Sequence, residues 1–433
     1  MQRIPVAATV AVLLACVAAG AAKANGPRSS TVDVSAFGRL PIVMAGSVRP
    51  IDSAARLSLL RISGSDSVPI EPGTASGVSR LAFWRSPRTL EPSEWFLEVL
   101  TKPEADGRRI FPVADATVRG KLGLGAAAGS YYTFAELQPK VNDIAKDAAR
   151  IEKLDAAKRE VWEREWLALR ARLGIYARLR TTLQPAAVTS AGGAKYDFAP
   201  RLARYQQDLK PLAGAVQARS RGQEKPIDPA AQTAIRDFAG PFASIARSGF
   251  VAMIPPADRS HAKDGWETIG GAIVESTRDG RLRPGVIAMA QITSAFAAGN
   301  ADAFDREVAR YGQWLRTRGF GPELERSRYE YFYTRVQPFT GAAIFYIAAG
   351  LFMGAWVFTR RVALRRGGLV LMALGVFVHT AGMLWLGLIS GGMPPVNSYT
   401  STLGASLLAA MLATVVMRQR GLRLGGVAAL RTK

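Results

Sequence analysis

Three apolar segments near the C-terminus, residues 339–359, 367–389 and 399–417, constrain the fold of this chain more than any other feature. A helix needs about 20 apolar residues to cross the hydrocarbon core of a bilayer, and each segment is about that long. We therefore predict a three-helix transmembrane segment within residues 339–433, placed after a larger domain.

The charges around these segments predict their orientation. The loop between the first two segments has the sequence RRVALRR, and the tail after the third is RQRGLRLGGVAALRTK. From residue 339 onward there is no Asp or Glu, and the basic residues are Arg360, Arg361, Arg365, Arg366, Arg418, Arg420, Arg423, Arg431 and Lys433. Loops rich in Arg and Lys stay in the cytoplasm. The basic loop and tail are therefore predicted to be cytoplasmic, and the uncharged loop SGGMPPVNS to lie on the opposite side.

The N-terminus has the pattern of an export signal. Arg3 precedes an apolar stretch over residues 4–20, and an AKA cleavage site follows it. Residues 1–24 are therefore predicted to be a signal peptide. Residues 25–338 are predicted to be a periplasmic domain of a bacterial inner-membrane protein. Lipoprotein processing at Cys16 and an uncleaved anchor are the two alternatives.

The single cysteine excludes several kinds of site, and the net charge raises the question of a nucleic-acid partner. Cys16 is the only cysteine, and signal cleavage would remove it. A chain without thiols cannot form disulfides, a Cys-based zinc site, a Cys-x-x-Cys redox pair or a covalent c-type haem site. The net charge of +22 would suit a nucleic-acid binder. We nevertheless exclude nucleic acid as a partner, because the basic residues near the C-terminus flank apolar segments and the main domain is predicted to be exported.

The predicted periplasmic domain has strong helical patterns and few strand patterns. The stretch LPIVMAGSVRPIDSAARLSLLRISG predicts an extended segment, then a helix that begins after Pro50 and ends at Gly64. Residues 138–184 are strongly helical, with Ala156 and Gly174 as candidate break points. We predict a mostly α protein: an exported helical domain with minor β structure, followed by the three-helix transmembrane segment.

An apolar stripe marks the helical region at spacings of three and four residues. Its members are Trp162, Trp166, Leu169 and Leu173. One interpretation is a partner-binding surface or stalk, which would make the protein a membrane-anchored periplasmic scaffold or partner-binding protein. The other is a helical hairpin packed against its own domain, and this is favoured because such stripes commonly face a core.

The chain has two histidines, and His379 lies in the middle of the second apolar segment. A polar ring at this depth in a membrane is costly, so it is expected to have a partner and is often functional. One interpretation is an axial ligand to haem iron. The other is a hydrogen bond between helices, with Thr380 or a backbone carbonyl as the partner. His261 lies in a polar loop, where a solvated side chain is favoured.

The sequence that begins at His379 resembles a known family. The stretch HTAGMLWLGLISGGMPPVNSY is similar to the early spans of the CcsA/ResC-type cytochrome c biogenesis proteins of the system II pathway. In that family a histidine-containing helix leads to a proline-containing loop, then Asn and Tyr, and then the next span. The matching loop residues are Pro394, Pro395, Asn397 and Tyr399. Residues 40–64 are similar to the N-terminal extension of some long members.

The resemblance implies a component of cytochrome c maturation. Such a protein assists the transport or presentation of haem b across the inner membrane, for attachment to apocytochrome c. The resemblance implies His379 as a haem ligand and the four matching loop residues as the extracytoplasmic site. The expected partners are apocytochrome c, membrane lipid, and either a ResB-type protein or the second half of a split haem-handling protein. No metal other than haem iron is expected.

The sequence departs from the family pattern in one respect. The family's Trp-rich, Asp-containing external loop, flanked by histidines that hold haem, does not occur among the 433 residues. The chain is therefore expected to correspond to the front half of such a protein, as a truncated reading frame or as one half of a split system. For the same reason we do not expect autonomous activity as a holocytochrome c synthase, which forms the thioether bonds.

Overall fold

The computed structural model of the chain describes residues 32–70, 89–125, 130–183, 185, 198–249, 251–259, 265–390, 392, 400–412 and 415. Helices make up 73% of the structure and strands 6%, which confirms a mostly α protein with little β structure. The chain divides into two compact units between Arg328 and Tyr329, N-terminal to the predicted boundary at residue 338. The predicted signal peptide lies outside the described residues and stays a prediction.

The first unit is built mainly from short helices. Its helices are α1 (Ser35–Gly38), α2 (Ile51–Ser63), α3 (Pro92–Thr101), α4 (Ala116–Leu122), α5 (Phe134–Leu137), α6 (Val141–Ile151), α7 (Val161–Arg180), α8 (Phe198–Arg219), α9 (Pro229–Ala239), α10 (Phe242–Ser248), α11 (Ile269–Asp279), α12 (Pro284–Ala297) and α13 (Ala301–Thr317). Its strands are β1 (Pro41–Met44), β2 (Ser47–Pro50), β3 (Val68–Pro69), β4 (Thr89–Leu90), β5 (Phe111–Pro112), β6 (Tyr131–Tyr132) and β7 (Val251–Ala252). Short 3-10 turns lie at Pro103–Gly107, Gln138–Lys140 and Ala156–Lys158.

A small antiparallel sheet with the strand order β2–β1–β7 begins this unit. A two-residue turn joins β1 to β2, with φ of 51° at Ala45 and 74° at Gly46. Positive φ at both central residues is typical of the type I′ turn, whose twist suits a hairpin. The helix α2 follows directly, and Gly64 ends it in the left-handed conformation with φ of 71°. The helix after Pro50 is therefore as predicted, although it is preceded by a hairpin.

The region 138–184 is a helical hairpin and not one continuous helix. The chain leaves α6 and turns through Ala156–Lys158 before α7 begins, so the break lies at the first of the two candidate points. The two helices then pack against each other. The indole Nε1 of Trp166 donates a hydrogen bond from α7 to the carbonyl oxygen of Ile144 on α6, at 3.1 Å.

The apolar stripe on α7 faces the core of the first unit. Trp166, Leu169 and Leu173 are almost completely buried, and Trp162 is half-buried against the same core. A partner could reach these side chains only if α7 left the unit, because their apolar surface already contacts the unit's own residues. The burial therefore favours the packed hairpin for this stripe, and the scaffold function stays an untested alternative.

The second unit consists mainly of apolar helices. The helix α14 (Gly321–Val336) crosses the boundary between the units, and α15 (Pro338–Thr359), α16 (Val362–Ser390) and α17 (Thr400–Leu412) follow. Among the residues that the structure describes, two helices are long and apolar enough to cross a membrane: the stretch Gly321–Thr359, which includes α15, and α16. For the third predicted span, residues 399–417, the structure describes α17 and little beyond it, so that span stays a prediction.

Candidate functional site

His379 lies on the face of α16 that packs against α15, and only 3% of its surface is exposed. The hydroxyl oxygen of Tyr346 on α15 is 3.4 Å from His379 Nδ1. The ring of Phe339, also on α15, meets the imidazole edge-on, with the ring centroids 5.2 Å apart. The polar ring is thus enclosed by two aromatic side chains of the neighbouring helix.

Of the two predicted partners of His379, Thr380 or a backbone carbonyl, Thr380 is not the partner. Its hydroxyl donates to the carbonyl oxygen of Val376 on the same helix, at 2.8 Å. A bond of this kind satisfies the hydroxyl within its own helix. The sequence interpretation missed Tyr346. The spacing of seven residues between Phe339 and Tyr346, which places both rings on one face of α15, is the signal that could have identified it.

The second ring nitrogen, Nε2, is buried and makes no hydrogen bond with a residue that the structure describes. The backbone of Leu403, on α17, nevertheless lies within hydrogen-bonding reach of the imidazole ring. A buried polar atom without a hydrogen bond lowers stability, and a bound ligand is one physical explanation for such an atom. Nε2 is therefore the atom of this site that can coordinate a metal ion.

Two glycines allow the aromatic rings to approach His379. Gly375 precedes it by about one turn, and a Cβ atom there would lie 2.6 Å from Tyr346 Cε1. Gly382 follows it by about one turn, and a Cβ atom there would lie 3.1 Å from Phe339 Cε1. Small residues at an interface let apolar helices approach closely. Any larger residue at either position would displace the ring that it meets.

A second group of aromatic side chains lies at one end of the pair formed by α15 and α16. The Tyr333 ring contacts Phe339 and Trp385, with centroid distances of 6.2 Å and 6.0 Å. Trp385 Nε1 donates a hydrogen bond to the carbonyl oxygen of Tyr329 at 3.2 Å. Tyr329 and Phe332 are exposed. Exposed aromatic rings beside apolar helices are typical of the membrane–water interface.

A single imidazole can serve only a metal ion whose other ligands come from elsewhere. Among the described residues, no group of three or more His, Cys, Asp or Glu side chains is placed to hold a metal ion. A porphyrin brings four nitrogen ligands of its own, so that a protein needs to supply only axial ligands. A hydrogen bond at one imidazole nitrogen fixes the ring and directs the other nitrogen towards the metal. Tyr346 is placed to form that bond.

The remaining predicted site residues are not brought to His379 by the described structure. Pro394, Pro395, Asn397 and Tyr399 lie outside the described residues, as does His261, so their roles stay predictions. The stripe residues of α7 are in the core of the first unit. In comparisons with known proteins, no family model, no curated protein and no solved structure matches this chain.

Proposed function

We propose that this chain is a membrane-anchored component of cytochrome c maturation. It assists the transport or presentation of haem b across the bacterial inner membrane, for attachment to apocytochrome c. The observation that carries the proposal is the buried imidazole of His379, with Nδ1 at the Tyr346 hydroxyl and Nε2 without a hydrogen bond to any described residue. Ionisable side chains at membrane depth commonly mark functional paths, and the family resemblance supports the same function.

Each residue around the imidazole has a role in this proposal. His379 holds haem through Nε2, because haem iron accepts a neutral imidazole nitrogen as an axial ligand. Tyr346 orients the imidazole through Nδ1, and Phe339 covers one of its edges. Bound haem supplies the vinyl groups to which the thiols of apocytochrome c add. Since the described part of the membrane unit offers one such histidine, a ResB-type protein or the second half of a split protein supplies the other ligand.

The proposal includes a topology for the chain. Residues 25–338 lie in the periplasm, α15 and α16 cross the inner membrane, and α17 belongs to a third span. Arg360 and Arg361 connect α15 to α16, and Arg365 and Arg366 lie near the start of α16. This concentration of positive charge supports a cytoplasmic position for that end of the helix pair. Membrane lipid then surrounds both helices.

The function is tested by removing the imidazole from the full chain, produced together with a ResB-type partner. We expect His379→Ala to abolish most of the haem absorption band of the purified complex, because Nε2 is the proposed iron ligand. Thr380→Val is the matched control, since the Thr380 hydroxyl is bonded within its own helix. Added imidazole should restore part of the band in His379→Ala, because it can occupy the vacated space.

A second variant separates ligation from folding. His379→Gln fills most of the same space and can still bond to Tyr346, yet an amide is a poor ligand for haem iron. We expect this variant to accumulate normally, with its helical circular dichroism retained and its haem band lost. A haem band of wild-type intensity in both His379 variants would overturn the proposed function.

A further inference from the structure

The first unit contains an open cleft of about 650 Å³. Its walls come from α8, residues 254–257, residues 279–285 and the C-terminal end of α13. Small-molecule sites commonly enclose roughly 300–1,000 Å³. We name this feature the Trp314 cleft, after the aromatic side chain of α13 that lines it.

The Trp314 cleft has an aromatic wall. Trp314 is half-buried and stacks on Tyr311, with the ring centroids 5.7 Å apart and an angle of 13° between the ring planes. Phe320 also lines the cleft and is buried. Because the stacking partner holds the indole in place, Trp314 presents a rigid flat surface to an occupant. Such surfaces favour offset stacking with another aromatic ring.

The free charges of the cleft are mainly positive. Lys210, Arg281 and Arg318 line it, and none of them forms an ion pair within the part of the chain that the structure describes. Arg318 follows Trp314 by four residues and is the residue directly after α13, so the guanidinium and the indole lie on the same side of the helix end. An aromatic surface and unpaired cations therefore face one space.

The acidic side chains of the cleft are largely engaged with other groups. Glu275 forms an ion pair with Arg283 at 2.5 Å, and the guanidinium of Arg283 also donates to the carbonyl oxygen of Pro255 at 3.2 Å. This pair joins two walls of the cleft and carries no net charge. Asp279 accepts the backbone N–H of Arg281 at 2.9 Å. Among the lining side chains, one carboxylate thus remains against three unpaired cations.

We propose that the Trp314 cleft binds an organic anion, a small molecule with a flat aromatic body and a carboxylate. Its ring stacks on Trp314, and its carboxylate meets Arg318 and Lys210 through charge-assisted hydrogen bonds. The volume of the cleft limits the occupant to a small molecule. This binding site lies in the first unit and does not depend on the proposed haem function, so either proposal can fail without the other.

The test measures binding of 2-naphthoate to the full chain in detergent micelles by equilibrium dialysis. The amide 2-naphthamide has the same ring and no charge, and it reports partition into the micelles. We expect saturable binding of 2-naphthoate that the double variant K210Q/R318Q weakens about tenfold, the size expected when charge-assisted hydrogen bonds are lost. Arg316→Gln is the matched control, because it removes one positive charge from the same helix outside the cleft lining.

Three results would overturn this proposal. The first is the absence of saturable binding of 2-naphthoate beyond the partition into micelles. The second is binding that K210Q/R318Q leaves unchanged while the variant retains wild-type circular dichroism. The third is an equal loss of affinity in Arg316→Gln, which would indicate a general effect of net charge and not a local site.

Discussion

Glu136 joins three groups at the start of α5. Its carboxylate accepts the backbone N–H of Thr133 at 2.8 Å, and the Thr133 hydroxyl accepts the backbone N–H of Glu136 at 3.1 Å. Arg109 forms an ion pair with the same carboxylate at 3.0 Å. Burial opposes ionisation, but the hydrogen bonds from Thr133 and the positive charge of Arg109 outweigh it and lower the pKa of Glu136. The folded state therefore favours the ionised form.

We expect Glu136→Gln to lower stability at neutral pH and to have little effect in acid. The folded pKa is lower than the unfolded value of about 4.3. The stability from the ionised carboxylate is therefore present above that value and is lost as the pH falls through the folded pKa. Thermal unfolding midpoints of variant and wild type, at about pH 7 and about pH 3, measure the difference. Glu224→Gln, at an exposed position, is the control; a pH-independent effect of Glu136→Gln would contradict the expectation.

For single residues, the sequence was sufficient to identify His379 as a candidate, but it did not identify the side chains that contact it. Its position in an apolar segment marks it as unusual. Thr380 is its neighbour in the chain, yet a helical threonine can bond to the carbonyl four residues back without any other helix. Tyr346 is 33 residues away, and only the packing of α15 against α16 brings it to the imidazole. The contacts of a residue thus depend on a helix pairing that local sequence does not specify.

At the scale of elements, glycines determine how closely α16 approaches α15. Gly367, Gly368, Gly375 and Gly382 are all buried on α16. A Cβ atom on Gly368 would lie 2.8 Å from Met353 Sδ, and one on Gly367 would lie 2.9 Å from Phe352 Cδ1. Hydropathy predicted the two helices because it depends only on composition. It could not predict that α16 begins at Val362, within the basic loop, because hydropathy does not detect a helical turn that contains charged residues.

We expect Gly375→Ala to destabilise the membrane unit by about 1–3 kcal/mol, the usual cost of overpacking a tight contact. The added methyl group would lie 2.6 Å from the Tyr346 ring and would force it away from His379. Unfolding of the full chain by a titration with a denaturing detergent measures the loss. Gly350→Ala on α15 is the control, because a Cβ atom there has no neighbour within 4 Å. Equal stability of the two variants would show that the contact tolerates a methyl group.

At the scale of the whole molecule, the sequence predicts what lies within one segment better than what joins distant segments. The apolar stripe of α7 could be assigned to a core, since its spacing alone indicates a buried face. The sequence also indicated two candidate positions, Ala156 and Gly174, for a break in the helical region 138–184, and the chain turns at the first of them. The Trp314 cleft could not be predicted, because Lys210 and Trp314 lie on helices far apart in the chain. Their meeting depends on the packing of α8, α12 and α13.

The proposed topology predicts which side of the membrane each unit faces. Because Cys16 is the only cysteine, a Cys16→Ser chain is a clean background for single introduced cysteines. Ser220→Cys, at an exposed position in the first unit, should react with a membrane-impermeant maleimide added to cells with a permeabilised outer membrane. Arg361→Cys, between α15 and α16, should react only after the inner membrane is opened. The reverse pattern would contradict a periplasmic first unit.

The nearly complete enclosure of His379 has a mechanical consequence. With 3% of its surface open, the imidazole cannot meet a disc as broad as a porphyrin while α15 and α16 remain in contact. Under the proposed function, entry and exit of such a disc would require the two helices to separate at their glycines and to close again. Separation of α15 and α16 would thus control access to His379. A covalent cross-link between the two helices should then block the passage of haem without changing any residue that binds it.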